Sequence, residues 1–232
     1  CQYESVENAL PLIIDGDMTL TNDKIWYLVG RTSVEDGVTL TIQPGTIIKG
    51  NSGTGANATA LIIARGGKIN AQGTPQQPII FTSEVDNIQL GESYGSSLQP
   101  TINGLWGGVI ILGNAPISAS NPSMQIEGIP ASDPNGLYGG TDETDDSGIL
   151  SYISIRHGGA NIGEGNEING LTLGGVGNGT TINNIEIVGN QDDGIEWFGG
   201  NVNCSNLLVW STGDDCIDID QGYNGDLDNV LI

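Results

Sequence analysis

Two segments of the chain superimpose when it is slid along itself by 22 residues. TINNIEIVGNQDDGIEWFGG (Thr181–Gly200) falls on NCSNLLVWSTGDDCIDIDQG (Asn203–Gly222). Ile182 meets Cys204, Ile185 meets Leu207, Ile187 meets Val209, Ile195 meets Ile217 and Trp197 meets Ile219. The apolar positions alternate within each run, as in short strands with one buried face. LDNVLI (Leu227–Ile232) extends the pattern with a shift of 23, and WGGVII (Trp106–Ile111) and LSYISI (Leu150–Ile155) fit it upstream. A repeat of this length cannot bury its own apolar face, so copies must stack, each strand pairing with the copy above and below. The expected architecture is all-β: a right-handed parallel β-helix with rungs of about 22 residues.

The rest of the chain follows the same template less regularly. TLTIQPGTIIKG, ALIIARGGKINAQGT and PIIFTS are strand runs broken by Pro-Gly and Gly-Gly turns. Residues 86–103 and 114–147 read as long insertions, and loops of that length in a compact solenoid are functional or disordered. Residues 1–20 read as a leader that caps the first rung, with the helix over 21–232. The final run stops mid-strand, which points to a helix that continues beyond Ile232. Asn184, Asn206 and Asn229 recur at matching places, as a stacked amide ladder would.

The opening repeat also aligns two acidic pairs, QDDG and GDDC, so that Asp193 meets Asp215. Asp192, Asp193, Glu196, Asp214, Asp215 and Asp218, with Asp220 behind them, crowd two rungs and form a candidate Ca²⁺ site of oxygen ligands. The net charge of −22, with only 6 Lys plus Arg, excludes nucleic acid as a partner, because nothing would neutralise its phosphates. TDETDDSG (Thr141–Gly148) is a second acidic loop that lacks the spaced ligands of an EF-hand; it reads as a solvated loop, with Ca²⁺ binding as the alternative. Trp106 and Trp197 align with core aliphatics. Trp210 follows the inward Val209 and should point outward. With Tyr138 and Tyr223 on turns, it completes a set of candidate aromatic ligand contacts. Cys204 and Cys216 read as small core residues. Cys1, followed by a polar stretch, fits the first residue of a mature lipoprotein, anchored to the outer membrane by lipid on that cysteine.

TLTIQPGTIIKG, ALIIARGGKINAQGTPQQPIIFTS, LWGGVIILGNAPI, NEINGLTLGGVGNGTTINNIEIV and GDDCIDIDQGY together resemble secreted or lipid-anchored β-helix proteins of Bacteroidota and related bacteria. The resemblance implies a pectin-lyase-like β-helix at the extracellular face of the outer membrane, or secreted, that binds a polysaccharide or another surface protein. A narrower likeness links QDDG and GDDC to the paired Asp motifs of polygalacturonases. It implies Asp214 as general acid, with Asp193 and Asp215 holding the attacking water of an inverting hydrolysis. Pectate-lyase-like chemistry would instead use Ca²⁺ and a basic residue, for which Arg156 and Arg65 are the candidates. The chain departs from the polygalacturonase pattern at Gln191-Asp192, and its one histidine, His157, precedes the acids. The expectation is therefore a non-catalytic, Ca²⁺-stabilised surface β-helix, with the polysaccharide-degrading enzyme as the alternative.

Overall fold

The computed structural model describes residues 7–163 and 166–232. Cys1 lies outside them. Two parallel sheets run the length of the molecule and form a β-helix. Seven strands make the first sheet: Ile13–Ile14, Arg31–Val34, Ala60–Ile63, Val109–Leu112, Leu171–Gly174, Ile195–Phe198 and Ile217–Asp220, paired in that order. The second sheet has ten strands. Its first three rungs use two strands each (Met18–Leu20 with Ile25–Leu28, Thr39–Ile42 with Ile47–Gly50, Lys68–Gln72 with Ile79–Ser83). Its last four rungs use one longer strand each: Gly148–Arg156, Thr181–Val188, Cys204–Trp210 and Leu227–Leu231.

The change from two strands to one has a local cause. In the early rungs a turn such as QPGT separates the two halves. In the later rungs a single left-handed residue bends the strand. Tyr152, Asn184, Asn206 and Asn229 have φ of 52°, 54°, 56° and 56°. Asn tolerates this conformation better than other side chains with a Cβ. The three asparagines also stack as expected. Asn206 Nδ2 donates to Asn184 Oδ1 at 3.3 Å and Asn229 Nδ2 donates to Asn206 Oδ1 at 3.1 Å.

Register places like on like. Leu61, Val109, Leu171, Ile195 and Ile217 pair in one continuous column, and Ile153, Ile185, Leu207 and Val230 in another. These columns face the interior, where Trp106 and Trp197 are fully buried, although Val230 is 40% exposed. Each such side chain contributes roughly 1.5–3 kcal/mol on burial, so the stack is held by its inner lining. The spacing is 22 between Ile195 and Ile217 and 24 between Leu171 and Ile195. It lengthens to 62 between Val109 and Leu171, which bracket the insertion of residues 114–147.

That insertion is an ordered cover. Ile126, Ile129 and Tyr138 pack on Ile62, Ile110, Leu112 and Phe198 to form a second apolar core on the outer face of the seven-stranded sheet. Arg65 pins the cover by donating from Nη1 to Ser123 Oγ and to the Gly139 carbonyl. Tyr138 is therefore corrected: it is buried, its ring 6.0 Å from that of Phe198, and unavailable to a ligand. The TDETDDSG loop is corrected in part. Asp145 is buried and accepts from the Asn114 and Gly177 amides and from Ser147 Oγ. Among the described residues, strands of the two sheets already occur within residues 1–20, at Ile13–Ile14 and Met18–Leu20, and Leu10 is buried where its N–H donates to the Tyr27 carbonyl.

Candidate carboxylate site and an aromatic cleft

The acidic pairs lie where turns from the ten-stranded sheet enter the seven-stranded one. Asn169, Asp193 and Asp215 hold the same position on three successive rungs, each two residues before an inward residue of the column Leu171, Ile195, Ile217. The rungs interlock there through the backbone. Gly170 N–H donates to the Asp193 carbonyl, Gly194 N–H to the Asp215 carbonyl, and Asp215 N–H to Asp193 Oδ1 at 2.9 Å. Glu196, one residue past the inward Ile195, projects from the outer face and pairs in register with Asp218.

Two groups of acids converge. Carboxylate oxygens of Asp192, Asp193 and Asp214 lie within 4.8 Å of one another, and so do those of Asp193, Glu196 and Asp218. Asp193 belongs to both. Asp193 and Glu196 are buried, Asp192 and Asp218 half-buried, and Asp214 exposed. Asp215 is exposed and belongs to neither group; it meets Asp193 through its backbone alone. Asp220 is exposed at the end of its strand. Burial pushes the Asp193 carboxyl up to about 6, against the pull of the Asp215 N–H and with added repulsion from Asp192, Asp218 and Asp214. Burial, then the Glu127 carboxylate from the cover, lifts Glu196 to about 8.

The sequence reading missed Asn169. It falls on Asp193 with a shift of 24 rather than 22, and that shift was the available signal. Asn169 is 1% exposed; its Nδ2 donates to Glu196 Oε2, and its Oδ1 has no hydrogen-bond partner. A buried carbonyl oxygen costs about 1–3 kcal/mol when left unpaired. Here it sits on the same amide that touches the carboxylate group. The donor set, three carboxylates and a neutral oxygen, is that of a hard cation such as Ca²⁺.

The other predicted residues are elsewhere. Tyr223 is half-buried: its ring lies 5.5 Å from that of Trp197, and its hydroxyl donates to the Val202 carbonyl at 2.7 Å. Cys204 is buried, and burial pushes its thiol up to about 12. Trp210 points outward, 41% exposed. It lines an open cleft of about 700 Å³ on the outer face of the ten-stranded sheet, with Tyr94, Arg156 and Glu186. His157 lies at this cleft and belongs to neither group of acids. Its ring Nδ1 is 2.6 Å from the Ile102 carbonyl, and burial lowers its pKa.

No curated protein and no solved structure gives a significant match to the chain. The family profile of the pectate-lyase-like beta helix domain matches residues 12–232, and the chain belongs to that family.

Proposed function

We propose that the protein is a non-catalytic β-helix of the cell surface, or a secreted one, that binds a glycan or another surface protein and is stabilised by Ca²⁺. The observation that carries the reading is the buried Asn169 amide, whose Nδ2 donates to Glu196 Oε2 and whose Oδ1 is unpaired, next to a group in which carboxylate oxygens of Asp193, Glu196 and Asp218 converge. Those four residues would hold the ion, which supplies charge neutralisation that two buried acids otherwise lack. Asp192 and Asp214 extend the negative field at the mouth of the site.

One observation favours the enzyme as a second reading: a carboxyl raised to about 8, as at Glu196, is in the range of a proton donor. One opposes its lyase form. Arg65, a candidate base for lyase chemistry, is committed to pinning the cover.

The test is thermal unfolding with Ca²⁺ and with chelator. An ion at a hundredfold excess over Kd adds about 2.7 kcal/mol, which raises the Tm of a domain this size by roughly 5–10 °C. Asp193→Asn should remove the response, and Asp215→Asn should keep it. An unchanged Tm in millimolar Ca²⁺, or equal responses in the two variants, would count against the site.

A further inference from the structure

The cleft beside Trp210 is far better built than a chance depression between loops. Arg156, Val188 and Trp210 stand in register on three successive rungs. They lie on the face opposite to the core, so the cleft floor is the sheet itself. Its wall is the insertion of residues 86–103, folded back on itself by one side chain. Asn87 Oδ1 accepts from the Ser96 and Ser97 amides, and Ser97 Oγ donates to the Val85 carbonyl. Arg156 Nη1 ties this wall to the floor through the Ser93 carbonyl at 2.8 Å, and His157 Nδ1 meets the Ile102 carbonyl at its far end. The site is therefore organised before anything binds, which lowers the cost of binding.

Its chemistry is mixed in a specific way. Trp210 and Tyr94 are 41% and 75% exposed, although the other three tryptophans are buried. The same cleft holds a polar pair. Arg156 Nη2 is 3.3 Å from Glu186 Oε2, which also accepts from Ser154 Oγ. Arg156 spends three N–H groups on Ser93, Ser154 and Glu186, and a guanidinium has five. The pair thus retains both donor and acceptor capacity. Flat apolar rings next to fixed donors and acceptors match a molecule with an apolar face and a hydroxylated edge. The charge of the cleft is balanced: Arg156 offsets Glu186, and the buried Lys49 lies against Asp86, its Nζ donating to the Asp86 carbonyl. With −22 on the whole chain, a polyanion would be repelled.

We infer that this cleft binds an uncharged glycan, with a sugar ring stacked on Trp210 and its hydroxyls bonded by the Arg156–Glu186 pair. The assignment rests on the binding reading above, and gives it a place and a ligand class. It shares no residue with the carboxylate site, which lies at the turns into the seven-stranded sheet.

The test uses neutral hexasaccharides of β-glucan, xylan, mannan and galactan type, a polygalacturonate hexamer, and a proline-rich peptide. Binding is followed by calorimetry and by tryptophan fluorescence, in which Trp210 is the exposed reporter. At least one neutral hexasaccharide should bind and shift the fluorescence. Trp210→Ala should weaken it at least about tenfold, as expected for an aromatic anchor, and Glu186→Gln should weaken it without loss of fold. Failure of every neutral sugar to bind at millimolar concentration would overturn the assignment. So would binding confined to the polygalacturonate or to the peptide, or unchanged affinity in Trp210→Ala. A Ca²⁺-dependent Tm that persists without any sugar binding would remove the cleft and leave the cation reading standing.

Discussion

Glu196→Gln should stabilise the protein in chelator and destabilise it, relative to the native chain, in Ca²⁺. Glu196 is raised from 4.5 to about 8, burial being the largest cause. An acid whose folded pKa lies above its unfolded value favours folding while protonated. That advantage is complete below the unfolded pKa, is lost as pH rises from about 4.5 to about 8, and stays lost above. At 1.36 kcal/mol per unit, the ceiling on the loss is about 5 kcal/mol. The site opens towards solvent at Asp214, and the carboxylates share their repulsion, so roughly 2 kcal/mol is the reasonable expectation. Gln has nearly the same shape, keeps an oxygen for the Asn169 amide and never ionises. With chelator present, the variant should match the native chain near pH 4.5 and exceed its Tm by about 4–8 °C near pH 9. In millimolar Ca²⁺ at pH 9 the order should reverse, because the native chain gains the ion and the variant has lost a ligand. Calorimetric scans at both pH values provide the comparison. Equal Tm values at pH 9 in chelator would refute the claim that an ionised Glu196 is held at a cost.

Three other outcomes follow from the same geometry. Asn206→Ala should cost about 2–3 kcal/mol, two ladder bonds at roughly 1 kcal/mol or less each plus left-handed strain of about 1–2 kcal/mol; Asn206→Gly should recover the strain part, as measured by urea unfolding. Asp214→Asn should leave the fold intact and weaken Ca²⁺ binding only modestly, because Asp214 is at the exposed mouth; release of reducing ends from a polysaccharide by the native protein, lost in this variant, would favour the enzyme. Cys204 should resist alkylation in the folded protein and react only on unfolding, as its burial and raised pKa require; mass mapping of labelled peptides checks this.

What the sequence disclosed followed the insertions. The shift of 22 was visible between Ile182 and Cys204 because no loop interrupts those rungs, and it correctly aligned their inward columns. The same shift concealed Asn169, whose rung is two residues longer. Tyr138 was misplaced for a different physical reason. Alternation on a strand identifies the inner face, but it does not say whether the outer face is covered. The signal for a cover was in the runs ALII and VIIL, which are apolar throughout and so read as strands buried on both sides. Once that is granted, the insertion that carries Ile126, Ile129 and Tyr138 becomes the natural cover. Tyr223 differs again: it follows a turn, and only the stacking of the rungs shows that its ring meets Trp197. Asp193 and Asp215 align as the repeat requires, yet differ in burial: Asp193 packs against the next rung, accepting from the Asp215 N–H, and Asp215 is exposed.

The central claim is that the carboxylate pocket is a cation site rather than a proton-transfer site. Its most direct test is a crystal structure of the protein grown in millimolar CaCl₂, with anomalous data collected at long wavelength. The account predicts one anomalous peak ligated by Asp193, Glu196, Asp218 and Asn169 Oδ1 at about 2.3–2.6 Å, with water completing 6–8 ligands. A pocket without that peak, in which Asn169 Oδ1 accepts a hydrogen bond from water or from a protonated Glu196, would contradict it.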